Sequence, residues 1–273
     1  GLSFTETQFD APVLTLRGVG YSEISLSASP TVSVYVDQVP LPYPAMIRGG
    51  TLDLERVEVL KGPQGTLFGQ NSTGGAINYV AAKPTDAFEG GISGSFGRFS
   101  AIQTEGFVSG PLSGTVRARL AISALEGGAA QRSVTRGDKL GDQNLLTGRL
   151  LLDWEPSDSI KFELNLNGWL DRSDTPGAQL VGLFSANGAP LPAAFTSAPI
   201  VESPRAAEWT AGLPLERDNS FYQASLRGDW TIAPKVTLTS ITAYQHFKRD
   251  ALTDADGLTA ADLHIDLGGN IRS

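Results

Sequence analysis

Apolar and polar residues alternate with a period of two along most of this chain, in two regimes that meet near Lys83–Asp86. Before that point the alternating segments are short and closely spaced: LTLRGVG from Leu14, TVSVYVD from Thr31, ERVEVL from Glu55 and GAINYV from Gly75. Val32, Val34 and Val36 alternate with Ser33, Tyr35 and Asp37, the pattern of a half-buried strand. After it the segments lengthen. In Ile160 to Asp171, one face carries Ile160, Phe162, Leu164, Leu166, Gly168 and Leu170. The other carries Lys161, Glu163, Asn165, Asn167 and Asp171, with Trp169 as its single apolar exception. These 12 residues are twice the usual strand of about 5–6, and they fit the roughly 9–11 tilted residues that cross a bilayer.

The same design recurs. Val116, Ala118, Leu120, Ile122 and Ala124 oppose Arg117, Arg119 and Ser123, and Leu146, Leu150, Leu152 and Trp154 oppose Thr147, Arg149 and Asp153. Tyr222, Ala224, Leu226 and Trp230 oppose Gln223, Ser225, Arg227 and Asp229. With the weaker runs at Glu89–Gly97, Ala101–Ser109 and Val236–Phe247, about seven long strands are expected after the boundary. Their connections alternate between short turns (Pro111–Gly114, Glu155–Ser159, Ile232–Lys235) and long segments, of which Arg172–Asp218 is the longest. Trp154 and Trp230 stand on the apolar face just before short turns, where an aromatic girdle at a membrane interface belongs. A soluble antiparallel sandwich also alternates. Strand length, loop alternation and girdle placement favour a transmembrane barrel.

Composition narrows the functional classes. A formal net charge of −8, with 21 basic against 29 acidic residues, argues against nucleic acid. Cysteine is absent, so disulfides, thiolate metal sites and a cysteine nucleophile are excluded. No apolar run is long enough for a spanning helix. No catalytic or metal-ligating set is expected. His246 and His264 lack any ligand spacing, and Asp250, Asp254, Asp256, Asp262 and Asp266 read as a solvated tail better than as a cation loop.

The glycine-rich stretch from Arg56 to Val80, RVEVLKGPQGTLFGQNSTGGAINYV, invites a phosphate-cradle reading. Its spacing matches neither a P-loop nor a dinucleotide fingerprint. Gly62-Pro63-Gln64-Gly65 instead has turn chemistry, and Gly69, Gly74 and Gly75 suit positive φ or close backbone approach. Arg56 and Glu58 share a strand face and are expected to find partners on a facing wall. The inward row Arg117, Arg119 and Arg149 has two readings: it attracts an anionic ligand, or it pairs with carboxylates of the N-terminal unit or with Asp153 and Glu163.

Taken together, Val13–Gly20 (VLTLRGVG), Val32–Leu41 (VSVYVDQVPL) and the run from Leu52 to Thr85 resemble the plug domain of TonB-dependent outer-membrane receptors, in family order and spacing. Gly90–Ser100, Val108–Ser123 and Leu145–Leu166 continue the likeness into the barrel. The resemblance implies a mainly β protein: a small α+β plug at residues 1–84, then at 85–273 about seven antiparallel strands of an incomplete 22-stranded barrel. It implies structural or gating roles for Arg17, Gly18, Asp37, Arg56, Glu58, Gly62, Pro63, Gly65, Gly69, Gly74 and Gly75.

It also implies import rather than catalysis. The ligand is expected to be an iron–siderophore complex, with oligosaccharide, haem or cobalamin as alternatives. A soluble β-rich binding domain is the reading from another class. Expected partners are the TonB–ExbB–ExbD energy-coupling complex, outer-membrane lipid and a small-molecule ligand, with no resident cofactor. The expected location is the outer membrane of a Gram-negative bacterium. Ligand-contact residues are not identifiable from the sequence. No TonB-contacting box precedes Leu14 and most of the barrel is missing, so the chain is read as a fragment. Gln38 stands where a glycine is common after Asp37, which puts a tight type I′ turn there in question.

Overall fold

The computed structural model describes residues 1–6, 12–20, 30–65, 72–183, 185, 188–191, 199–259 and 264–272. The N-terminal unit begins with a hairpin of β1 (Leu2–Glu6) and β2 (Pro12–Leu16). It continues with β3 (Val32–Val36), β4 (Val39–Leu41), a 3-10 helix at Pro44–Gly49, β5 (Leu54–Lys61) and β6 (Gly75–Ala81). The last four strands form one sheet in the order β4-β3-β6-β5, with β3 and β6 parallel. Every residue of β3 and β6 is buried, which explains their near-continuous Val, Ile and Ala content.

The expected half-buried β3 is therefore covered on both faces. Its valines share an apolar cluster with Ala45, Met46 and Ile47 of the 3-10 helix and with Trp169, Phe221 and Phe247 of the long strands. Sequence reasoning did not single out β1, although Leu2 and Phe4 alternate with Ser3 and Thr5; it pairs antiparallel with β2.

The long strands follow as expected: β7 (Glu89–Phe96), β8 (Ile102–Pro111) and β9 (Val116–Gly127). The short β10 (Gln131–Ser133) and β11 (Lys139–Leu140) precede β12 (Gln143–Ser157) and β13 (Ile160–Asp171). After β14 (Ala206–Ala207) come β15 (Asn219–Ala233) and β16 (Val236–Arg249). The described strands end with β17 (Leu252–Asp254), β18 (His264–Asp266) and β19 (Gly269–Arg272). One antiparallel sheet joins eight of them in the order β19-β16-β15-β13-β12-β9-β8-β7, so the seven long strands pair in chain order and β19 adds a short eighth.

Which face points where follows from the alternation. Leu146, Leu170, Leu226, Leu238 and Ile122 stay exposed on the convex side, while Arg119, Arg149, Asp153, Asn165 and Gln223 are buried against the N-terminal unit. A polar inner face and an apolar outer face are the inverse of a soluble domain and match a membrane wall. Trp154 stacks on Phe162 at one end of that outer face, and Tyr222 meets Tyr244 and His246 at the other. On β15 the two belts, at Tyr222 and Trp230, are eight residues apart, about 27 Å along the strand at the usual rise. Tilted strands shorten this toward the roughly 25 Å apolar band of such barrels.

Trp169, the apolar exception of its polar face, marks where plug and wall share a core. With Phe221 and Phe247 it packs into the cluster formed by Leu16, Val32, Val34, Met46 and Ile77. Its Nε1 donates to the Met46 carbonyl at 3.1 Å. Gly49 passes so close that a Cβ there would lie 2.7 Å from the indole. Trp169→Ala should empty this site and strand the Met46 carbonyl, costing about 3–5 kcal/mol. Trp169→Phe should cost about 1 kcal/mol for the hydrogen bond. Thermal midpoints in micelles, together with hydrogen exchange across residues 44–49, check both values.

Candidate functional site: the interface between plug and wall

The sequence of the N-terminal unit builds a series of tight corners, and the corners present its polar atoms to the wall. Arg17 and Gly18 both have positive φ and close a two-residue turn, with Leu16 and Val19 exchanging backbone bonds of 2.9 and 3.0 Å. Asp37 and Gln38 do the same between β3 and β4, with φ of 47° and 70°. The questioned type I′ turn thus forms without glycine. Left-handed backbone costs an ordinary residue about 1–2 kcal/mol, and neighbouring bonds offset it. Gln38 N–H donates to Asn78 Oδ1 at 3.1 Å and Asp37 N–H to the Tyr79 carbonyl at 3.0 Å. Asp37 also accepts from Ala81 N–H at 3.1 Å and, across the interface, from Asn165 Nδ2 at 2.7 Å.

A third corner carries the strongest clasp. Asp53, with φ 48°, accepts Arg119 Nε and Nη2 at 2.7 Å each, a bidentate pair. Arg119 also reaches Glu89 at 3.2 Å and lies over the Phe107 ring. Arg149 Nη1 donates to the carbonyls of Leu52 and Asp53, and Asp53 N–H donates to Glu105 Oε1 at 3.3 Å. Both the backbone and the side chain of Asp53 are therefore committed to the wall. Arg117 takes Asp86 and Glu155 at 2.7 and 2.5 Å. Arg117 and Arg119 therefore pair with carboxylates, though not with Asp153 or Glu163, whereas Arg149 bonds to backbone carbonyls. Glu163 goes to Lys83 and Lys161 at 2.9 and 2.8 Å, and Asp153 to Lys161 at 3.6 Å.

Arg56 and Glu58 do not reach the wall. Arg56 binds Glu55 and Glu58 on its own strand at 2.6 and 2.8 Å. Glu58 accepts Asn78 Nδ2 at 2.9 Å, and that bond first, then Arg56, holds its carboxyl below the ordinary glutamate range. They face a cavity of about 860 Å³, across which stand Lys161, Arg227 and Asp229 of the wall. Nearer the loops, Arg48 at the end of the 3-10 helix meets the fully buried Asp171 of β13 at 3.0 Å, and Arg217 joins it at 3.4 Å.

Among the remaining expected positions, Gly75 is the most constrained: at φ +139° a Cβ would lie 2.2 Å from the Leu60 carbonyl. Gly74 is squeezed between Val19 and Val32, Gly62 turns at φ +88° beside Pro63, and Gly65 borders open space. Gly69 lies outside the described residues. Sequence reasoning did not single out Asp53, Arg48 or Asp171, and the one available signal was Trp169 breaking the polar face of the strand that ends at Asp171. Asp254 and Asp256 accept backbone N–H groups of Thr210 and Leu258, each at 2.8 Å, which places them as loop braces. His246 stacks on Tyr222 outside the wall.

Above the interface, the long connections fold together. β10 pairs with β11 and, in parallel, with β14. The carboxylate of Glu208, 5 % exposed, ties them by accepting Ser133 Oγ and Thr135 Oγ1 at 2.8 Å each, with Arg136 at 3.1 Å. Burial alone would push this carboxyl up, but the bonds from Ser133, Thr135 and Trp209 outweigh it and hold it below the usual range.

Two outcomes follow. Arg119→Ala should leave Asp53 buried without its partner and cost about 3–5 kcal/mol. Replacing both residues should cost less than the sum, read as a double-mutant cycle of unfolding midpoints. Glu208, ionised more readily when folded, adds stability that is present above the ordinary glutamate value of about 4.3. That contribution fades as pH falls through its lower folded value. Proteolysis of residues 131–140 should therefore accelerate on acidification below about pH 4, and Glu208→Gln should remove that dependence.

Residues 1–76 match the model of the TonB-dependent receptor plug domain. The chain is 31 % identical over 147 residues to the pesticin receptor of Yersinia pestis, covering 53 % of this chain and 21 % of the relative. It is 35 % identical over 121 residues to the ferripyoverdine receptor of Pseudomonas aeruginosa, covering 44 % of this chain and 12 % of that one. The chain thus spans about a fifth or less of the length of these relatives. Its fold matches the crystal structure of the ferric yersiniabactin uptake receptor of Yersinia pestis with a TM-score of 0.75 at 21 % identity, covering 97 % of this chain and 39 % of that one. The P. aeruginosa ferripyoverdine receptor bound to ferripyoverdine gives 0.67 at 16 % identity, covering 97 % and 34 %. Residues 1–76 thus match the TonB-dependent receptor plug domain, and the chain as a whole has the fold of the corresponding part of these solved receptors, a plug followed by antiparallel strands.

Proposed function

We propose that this chain serves TonB-dependent import of an iron–siderophore complex across the outer membrane of a Gram-negative bacterium. The observation that carries the reading is the plug seated against the polar inner face of the wall by the Asp53–Arg119 pair, with the apolar face turned outward. A unit clasped inside a membrane wall blocks passage until force removes it, so the reading includes an energy-coupling partner, the TonB–ExbB–ExbD complex. The ligand class rests on the relatives, whose names point to ferric yersiniabactin and ferripyoverdine. The chelated iron is cargo here, and no catalytic step is assigned to the chain.

Deleting the gene should abolish growth on at least one ferric siderophore as sole iron source. Uptake of that radiolabelled complex should stop when an uncoupler collapses the proton-motive force. Uptake restricted to an oligosaccharide, haem or cobalamin would replace the ligand, and uptake indifferent to the uncoupler would overturn the mechanism.

A further inference from the structure

The loop sheet above the wall borders a second, open cavity of about 560 Å³, whose charged lining residues are all basic: Arg132, Arg136 and Arg205. Ser133, Thr135 and Ser203 share the lining, with the Ser133 and Thr135 hydroxyls turned to Glu208. This is notable in a chain of net charge −8. The parallel pairing of β10 with β14 sets Arg132 opposite Ala206, and the Arg132 N–H donates to the Arg205 carbonyl at 2.8 Å, so the fold itself brings these cations together.

Their neutralisation is uneven. Arg136 has Glu208 at 3.1 Å and Asp138 at 2.8 Å. Among the described residues, Arg132 and Arg205 have no carboxylate within ion-pair distance. Glu202 is on the same segment but does not line the cavity. Arg205 is fixed from two sides: its Nε donates to the Ala130 carbonyl at 3.0 Å, and its guanidinium lies 4.7 Å from the centre of the Phe99 ring. Phe99 itself holds a left-handed backbone, φ 58°, uncommon for a bulky residue. The Arg132 guanidinium passes close to Gly137, where φ is +79° and a Cβ would come within 3.3 Å of Nη2. Arg132 and Arg205 are both exposed, so each guanidinium is open to a ligand from solvent. Guanidinium forks set by packing match the two oxygens of a carboxylate or phosphate.

We infer that this loop cavity is a binding site for an oxyanion group, carboxylate or phosphate, gripped by Arg132 and Arg205. The site contains no residue of the plug, and it stands or falls separately from the import reading, because its test is equilibrium binding without transport.

The experiment uses the intact protein in micelles, titrated calorimetrically with citrate and, separately, with inorganic phosphate. Saturable binding of at least one probe is expected, and the one that binds identifies the group. Arg132→Ala and Arg205→Ala should each weaken it about tenfold. Arg132→Lys keeps stem and charge but loses the fork, so it should weaken binding by a smaller factor while the loops keep their protease resistance. Lys139→Gln removes a charge outside the cavity but directly across the β10–β11 pair from Arg132, so it should weaken binding less than Arg132→Ala. Saturable binding by neither probe would overturn the site. So would a loss in Lys139→Gln equal to that in Arg132→Ala, which would mean that the general field of the loops attracts the anion.

Discussion

Asp53 and Arg119 are 9 % and 7 % exposed, and each is the other's two-pronged charge partner. Removing such ions from water costs several kcal/mol each, and only a short, two-pronged contact repays it. Position is what the pair fixes. Once Asp53 meets Arg119, the carbonyl of Leu52 falls to Arg149 and the Asp53 N–H to Glu105. A few residues earlier, Gly49 comes to rest against Trp169. A shift of the plug by one strand residue would unmake all of these contacts at once. The register between two separately formed sheets therefore rests on one corner of backbone held in a left-handed conformation.

The grip is uneven, and the unevenness suits a unit that has to be held and later moved. At the loop end the plug and the wall share an apolar core through Trp169, Phe221 and Phe247. At the turn end, β5 keeps its own charges satisfied and looks across an open cavity at wall residues that are also satisfied, Arg227 by Asp229 at 2.7 Å and Glu163 by the two lysines. Apart from Lys83 on Glu163, these charges are paired on their own side, and Glu163 keeps Lys161 when the surfaces separate. The polar contacts that do cross, such as Asn165 to Asp37, can be exchanged for water one at a time. An apolar contact offers no such exchange, which leaves the aromatic trio and the buried Asp53–Arg119 pair as the main resistance to displacement.

The long strands were legible because an environment of lipid on one side and polar surface on the other writes a period of two into each of them. Ile160–Asp171 was read to its ends, and the pairing of seven strands in chain order followed from the short turns. Trp169 stood out as an exception, yet nothing local said what it covers, since its partner Met46 is 123 residues away. Asp53 was invisible for the same reason: it sits in an unremarkable turn, and Arg119 lies 66 residues on. The Asp37–Gln38 turn was misjudged because the rule favouring glycine is local, whereas Asn78, Tyr79 and Asn165 hold the turn from outside. The loop sheet of β10, β11 and β14 was beyond reach, as two- and three-residue strands carry no periodicity.

The inner face of the wall explains why the plug needs so little core of its own. Strands that must present apolar residues to lipid have only their alternate positions left for the interior, and those positions are polar here. A filling of ordinary apolar surface would take from Arg149, Asn165 and Gln245 the partners that the plug supplies, each at the cost of an unmet hydrogen bond. The plug answers with turns, whose exposed carbonyls and Asx side chains supply acceptors at the points where the wall offers donors. Its thin four-stranded sheet then borrows three aromatic rings from the wall to complete its apolar side. Neither surface is satisfied alone at that end, so plug and wall gain stability together there, while the turn end remains free to part.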